Sequence, residues 1–231
     1  MFFKHQHPQR RYIFFKPLEY HPSMARRTYH QHCALARALD LVGERWTLLL
    51  VRELVGGARR YGELLENLPG MGTNLLANRL RDLQEAGIVE HEDPAYRLTE
   101  RGQELEPALV ALARWGAPLL DDPRPGALWR ASWNVLALQY AFRPERARKL
   151  RGVLEWRIDA SVVQARIREG TIETSGETRW RPDVVITTDG ETLLGVWGGD
   201  VAVEDAEASG SLEIDGDRRL FRTSLRVFAR D

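Results

Sequence analysis

Tyr61-Gly-Glu-Leu-Leu-Glu-Asn-Leu-Pro-Gly70, followed by Met71-Gly-Thr-Asn-Leu-Leu-Ala-Asn-Arg-Leu-Arg-Asp-Leu-Gln-Glu-Ala-Gly-Ile-Val89, is the stretch that decides the fold. Two helical periods flank Leu68-Pro-Gly-Met-Gly72. Proline lacks an N–H and its ring clashes with the preceding turn, so Pro69 and Gly70 end the first helix, and Gly72-Thr73 starts the second. Helices joined this closely cannot be collinear; they pack at an angle and thrust the second one forward. In that second helix Leu76, Leu80 and Leu83 fall at i, i+4 and i+7, which predicts one buried stripe. Thr73, Asn74, Ala77, Asn78 and Arg81 are left facing outward. Hydroxyl and amide groups pair with base edges, arginine bonds guanine or phosphate, and a small Ala77 admits close backbone approach. Asn78 is the candidate for a bidentate adenine contact, while Arg79, off to one side, suits either phosphate or an acidic neighbour.

Outward from this pair, Cys33 to Trp115 reads as one winged helix-turn-helix: apolar helices, a glycine turn, a polar-faced helix and two short strands. Double-stranded DNA is the expected partner. Several local signatures in the same region resemble the HxlR-type regulators over about residues 32–116. Cys33-Ala-Leu-Ala-Arg-Ala-Leu-Asp-Leu-Val-Gly-Glu-Arg-Trp-Thr-Leu-Leu-Leu-Val-Arg-Glu-Leu54 is similar to that family's opening, and Asn74 to Leu83 with Gly87-Ile-Val89 to its recognition helix and wing entry. Tyr96-Arg-Leu-Thr-Glu-Arg-Gly-Gln-Glu-Leu105 and Arg114-Trp-Gly116 resemble its second wing strand and closing helix. The sequence departs from the family at two places. Gly72 stands where a serine cap is usual, and the wing His91-Glu-Asp-Pro-Ala-Tyr96 is short and acidic at its tip. Glu92 and Asp93 repel phosphate unless Arg97 reaches around them, so the recognition helix carries most of the expected readout.

The resemblance also implies a role for Cys33, because related proteins include sensors whose near-terminal cysteine is oxidised or alkylated. His30, His32, Arg26 and Arg27 would favour its thiolate; the alternative is a small buried hydrophobe. A metal site from His30, His32 and Cys33 is disfavoured, since residues two apart on a helix diverge and no fourth ligand is evident. No metal or cofactor is expected.

After Asp121-Asp-Pro-Arg-Pro-Gly126, where prolines and glycine end a long helix through Leu105, Leu109, Leu112 and Trp115, the pattern changes. Trp129, Trp133, Leu136 and Tyr140 form an aromatic helical stripe. Leu154/Trp156/Ile158 alternate with Glu155/Arg157/Asp159, and Val163, Ala165 and Ile167 continue the strand pattern. Further strands are expected at residues 183–188 and 211–215, with helices at 191–197 and through Leu220, Leu225 and Phe228. Pro182-Asp-Val-Val-Ile-Thr-Thr-Asp-Gly-Glu-Thr-Leu-Leu-Gly-Val-Trp-Gly-Gly199 and Ala206 to Phe221 resemble the sterol-carrier-protein-like fold over about residues 129–229. That resemblance implies an apolar tunnel for a small lipid-like ligand, with Trp129, Trp133, Tyr140, Trp156, Trp197 and Phe221 as candidate lining; core filling is the plain alternative.

The expected fold class is a mainly α winged helix-turn-helix domain followed by an α+β domain. The expected boundaries are an extension at 1–23, a DNA-binding and dimerisation domain at 24–120, a linker at 121–126 and a ligand-binding domain at 127–231. Met24, followed by Ala-Arg-Arg-Thr, is an alternative working start. With 231 residues, the chain is too long for one module of this kind. Its 33 basic and 33 acidic residues balance, so phosphate attraction must come from local patches such as Arg26, Arg27, Arg37, Arg79 and Arg81, doubled in a homodimer. One cysteine excludes an intrachain disulfide, no stretch approaches the ~18 apolar residues of a membrane span, and Tyr12-Ile-Phe-Phe15 falls short of the ~7 apolar residues of a signal-peptide core, so a cytoplasmic protein is expected. Gly70-Met-Gly72 lacks the third glycine and preceding strand of a dinucleotide loop, and no Walker loop, nucleophile elbow or His-Glu-x-x-His occurs, so catalysis is not expected. The expectation is a ligand-controlled transcriptional regulator. Its rivals are a lipid carrier that keeps the helix-turn-helix as a dimerisation scaffold, and an interaction platform with a filled core.

Overall fold

A computed structural model describes residues 28–121 and 126–228. The expected extension at 1–23, Met24, Arg26, Arg27 and most of the 121–126 linker lie outside the described residues.

The first half runs α1 (Ala34–Val42), α2 (Thr47–Val55), β1 (Arg59–Arg60), α3 (Tyr61–Asn67), α4 (Thr73–Glu85), β2 (Val89–Glu92), β3 (Ala95–Leu98), α5 (Glu100–Gln103) and α6 (Glu106–Gly116). β1, β3 and β2 form a small antiparallel sheet in that order, with Glu92 opposite Ala95 across a two-residue turn. Leu76, Leu80 and Leu83 of α4 are buried with Leu50, Val51 and Leu54 of α2 and Leu64 of α3, as the i, i+4, i+7 spacing predicts. Each such leucine contributes about 1.5–3 kcal/mol by leaving water. The helix expected through Leu105 is divided: α5 stops at Gln103, and α6 restarts with Pro107 in its first turn, where proline's missing N–H is no loss. Gly102 is required there, because a Cβ would fall 2.1 Å from the Ile88 carbonyl oxygen.

In the second half a 3-10 turn (Ala131–Trp133) leads into α7 (Asn134–Ala141), so the expected aromatic helix is shorter than its stripe and excludes Trp129. Then follow β4 (Arg151–Ile158), β5 (Ser161–Arg168), β6 (Thr171–Ser175), β7 (Val184–Thr188), α8 (Gly190–Gly198), α9 (Val203–Ser209), β8 (Leu212–Gly216) and α10 (Arg218–Phe228). The sheet order is β6-β5-β4-β7-β8, with β4 and β7 parallel and the other neighbours antiparallel. Leu154, Trp156 and Ile158 share one core with Val163, Ala165 and Ile167, as their alternation predicts, and helical residues such as Leu138, Leu193 and Phe221 cover them.

Glu155 departs from the alternation pattern. It is buried because the segment between β6 and β7 crosses the opposite face of the sheet. Gln164 fastens that segment, accepting from the Arg179 and Trp180 N–H groups at 2.8 and 2.9 Å and donating to Glu155 at 2.7 Å. β1, β6 and α9 were not among the expected elements; β6 and α9 are mostly polar, and the neighbouring core rather than their own periodicity fixes them.

The two halves meet across a packed seam. Leu136 of α7 is buried in the core of the first half, and Val55 of α2 packs against both cores.

Candidate nucleic-acid interface

α4 begins at Thr73 with Gly72 as an extended N-cap that supplies no side-chain bond. Its opening N–H groups are thus not closed by a side chain, and a helix start of this kind favours anions. The hydroxyl of Tyr61 on α3 donates to the Thr73 carbonyl at 2.7 Å and fixes where α4 starts. Thr73, Asn74, Ala77, Asn78 and Arg81 are all exposed, opposite the buried leucines. Arg81 donates to the Asn78 side-chain oxygen, so amide and guanidinium form one unit on that face.

Arg79 has a different place. Its guanidinium bonds Glu44 at 2.9 Å and Asp82 at 3.0 Å, and it is half-buried beneath the exposed face. Two carboxylates hold it, so it leaves the set of expected DNA contacts and becomes a strut between α4 and the α1–α2 turn. The wing is similarly self-contained. Arg97 bonds Glu90 at 2.8 Å and Glu92 at 2.6 Å instead of reaching past them, and His91 stacks on Tyr96 with ring centres 4.3 Å apart. With Asp93 at the tip, the hairpin presents net negative charge.

Residues that sequence reading missed lie behind this face. Glu44 anchors Arg79, and Glu53 sits fully enclosed on α2. The signal for Glu53 was present in the chain: Leu50, Glu53 and Leu54 occupy i, i+3 and i+4, placing a charge on a buried stripe.

Exposed apolar side chains collect on α1 and α6. Leu35 and Leu39 stand on the first; Leu112 and Trp115 stand on the second, with Leu119 and Leu120 just beyond, and Trp115 is 76% exposed. Cys33 is exposed at the N-cap of α1. His30 and His32 are exposed nearby, and the described residues contain no cluster suited to a metal ion. Among them no helix is long and apolar enough to cross a membrane.

The six candidate lining residues of the second half do not converge on one space. Trp156 and Trp197 meet edge to face at 6.2 Å, Phe221 is buried in the same core, and Trp129 packs over Gly190, where a Cβ would meet its ring at 2.3 Å. Trp133 turns away to the seam, where its indole N–H donates to Glu53 at 2.9 Å, so it is withdrawn from the candidate lining. Tyr140 is half-buried, and its carbonyl accepts from Arg114 on α6 at 3.3 Å. Trp156 is 1% exposed, and its indole N–H has no acceptor among the described residues.

Comparison with known proteins places residues 41–123 as a match to the HxlR-like helix-turn-helix family. An HTH-type transcriptional regulator of Mycobacterium tuberculosis is 48% identical over 99 residues, which cover 40% of this chain and 61% of that protein. Another, from Synechocystis, is 40% identical over 97 residues, covering 39% of this chain and 72% of its own. The quinone-bound YodB structure from Bacillus subtilis aligns at 32% identity with a TM-score of 0.35, covering 36% of this chain and 96% of that one. The chain thus spans 61% of the length of the mycobacterial relative, and these matches leave the second half largely uncovered.

Proposed function

Because the chain belongs to the HxlR-like helix-turn-helix family, we propose that it is a homodimeric, cytoplasmic, sequence-specific DNA-binding transcriptional regulator with α4 as its reading helix. The exposed row Thr73, Asn74, Ala77, Asn78 and Arg81 on a helix locked from behind by Leu76, Leu80 and Leu83 carries this reading. Arg97 and Arg79 are assigned no DNA contact, since acidic neighbours hold both. The apolar faces of α1 and α6 support a two-fold dimer, which would meet an inverted repeat with half-sites ~34 Å apart or a multiple of that. Selecting duplexes from a random pool with the wild-type chain tests the reading: an inverted repeat should emerge, and a pool left unenriched would reject it.

The second half is proposed to be sterol-carrier-like and to take a small apolar ligand whose occupancy changes DNA affinity. Two features support this: a mixed sheet covered by helices, and the Trp156 indole N–H, a buried donor that a ligand's acceptor oxygen would satisfy. Binding and DNA affinity must then be coupled reciprocally, by ~1–3 kcal/mol in systems of this kind. Titrating fatty acids and polycyclic compounds against tryptophan fluorescence, with and without the selected duplex, measures both quantities. A second reading makes this half a structural or interaction domain filled by its own side chains. The edge-on packing of Trp197 and Phe228 against Trp156, each with centres 6.2 Å away, favours it, and silence of the fluorescence towards every ligand would select it.

A further inference from the structure

The seam between the halves is polar at its centre. Glu53 on α2 is 2% exposed, and its Oε1 accepts three donors: Arg52 Nε at 3.0 Å, Arg52 Nη2 at 2.6 Å and Trp133 Nε1 at 2.9 Å. The Arg52 guanidinium lies over the Trp133 ring, 4.2 Å from its centre. Glu53 Oε2 has no partner among the described residues, so the buried charge is held through one oxygen alone. A carboxylate taken from water costs several kcal/mol unless bonded, and each remaining donor therefore matters.

A second contact lies one turn further along the chain. The Gly176 N–H, just after β6, donates to the Gly56 carbonyl at 2.7 Å. A Cβ on Gly176 would stand 2.7 Å from that oxygen, and one on Gly57, whose φ is +135°, would stand 2.6 Å from the Glu177 carboxylate. This approach is open only to glycine. Immediately beyond it β1 pairs with the wing, the Arg60 N–H bonds Glu63 at 2.6 Å, and Tyr61 reaches the start of α4.

We propose that Trp133 is a positioning residue for the reading helix: with the Gly56–Gly176 contact, its bond to Glu53 lets the second half hold α2 and the entrance to α3 in the orientation on which α4 rests. The path is a contiguous set of bonded groups from Trp133 to Glu53, along α2 to Gly56 and β1, and through Tyr61 to Thr73. It needs no ligand in the second half.

The test uses the full-length chain with Trp133→Phe, which keeps a ring under Arg52 and removes the N–H. Glu53→Gln is the companion variant, because its amide oxygen still accepts the indole. Leu225→Ala, in the second core and away from the seam, serves as the control for general destabilisation. Trp133→Phe should speed amide hydrogen exchange across residues 47–67 and lower affinity for a fluorescent duplex recovered by the wild type about tenfold, with the salt dependence unchanged. Glu53→Gln should remain within about twofold of wild type. Unchanged exchange in Trp133→Phe would overturn the proposal, as would an equal affinity loss in Leu225→Ala. The affinity measurement rests on the proposed reading of DNA, whereas the exchange measurement does not. Should no duplex be recovered, exchange alone decides: acceleration confined to 47–67 in Trp133→Phe supports the role of Trp133, and its absence rejects it.

Discussion

Arg79 on α4 bonds Glu44 in the turn after α1 at 2.9 Å, joining that helix to a residue 35 positions earlier in the chain. Its neighbour Arg81 points outward and, among the described residues, bonds along its own helix to Asn78. The two arginines should therefore separate cleanly on substitution. Arg79→Ala is expected to lower stability by about 1 kcal/mol and leave the salt slope of DNA binding unaltered. Arg81→Ala and Asn78→Ala should leave the melting temperature in place and weaken binding to the selected duplex by about 1–3 kcal/mol. Melting curves and anisotropy titrations at matched salt check this, and a reversed pattern would remove the assigned face.

The wing is expected to add no phosphate contact while its own acids hold Arg97. Arg97→Ala should leave DNA affinity within about twofold, because Glu90 and Glu92 already neutralise that guanidinium. Converting both acids together, Glu90→Gln with Glu92→Gln, frees it to meet phosphate and should steepen the salt dependence by about 1. A marked loss of affinity in Arg97→Ala would show the hairpin gripping DNA after all.

Trp115→Asp, with Leu119→Asp as a second variant, should convert a dimer into a monomer, since each places a charge within the apolar face of α6 and its extension. Sedimentation at micromolar concentration reads the state directly. Wild-type protein sedimenting as a monomer while still binding a single half-site tightly would exclude the two-fold arrangement.

Cys33 offers a clean chemical readout because the chain has one cysteine. Its exposure at the head of α1, beside Leu35, predicts that mild peroxide or quinone treatment gives a reducible crosslink between chains. Non-reducing electrophoresis should show it in the wild type and not in Cys33→Ser. An unmodified thiol after treatment of the native protein would leave Cys33 without a sensing role.

Asp189 caps α8, accepting from the Thr192 N–H at 2.8 Å and from its hydroxyl at 2.9 Å. These bonds hold its carboxyl below the ordinary 3.8. A folded-state value below the unfolded one means the stabilisation is complete above the unfolded value and fades as pH falls through the folded value. Asp189→Ala should cost about 1 kcal/mol at neutral pH, the gap to wild type narrowing as pH falls below the ordinary 3.8. Melting temperature against pH measures it, and a constant gap would indicate that the charge does not contribute.

α4 and its buried stripe were legible because periodicity is local: three leucines define a stripe and everything opposite it is outside. Alternation gave the core faces of β4 and β5 for the same reason. What remained hidden depends on partners distant in sequence. Arg79 already stood off to one side of the exposed row, but its choice between phosphate and an acidic neighbour needed Glu44, and Glu155 looked solvent-facing until the segment after β6 crossed above it. Trp133 shows this most plainly, since an indole in an aromatic run has the same local signature whether it lines a cavity or bonds a carboxylate 80 residues away.

Leu136 belongs to α7 in the second half, yet it is buried among the side chains that form the first half's interior. The hydrophobic units therefore do not coincide with the boundary that composition marks at residues 121–126. A gene cut there would leave the side chains that pack on Leu136 uncovered and strip the Glu53 carboxylate of its Trp133 donor. In this chain the winged portion and α7 share an interior, so a recombination that separates them must supply another cover for it.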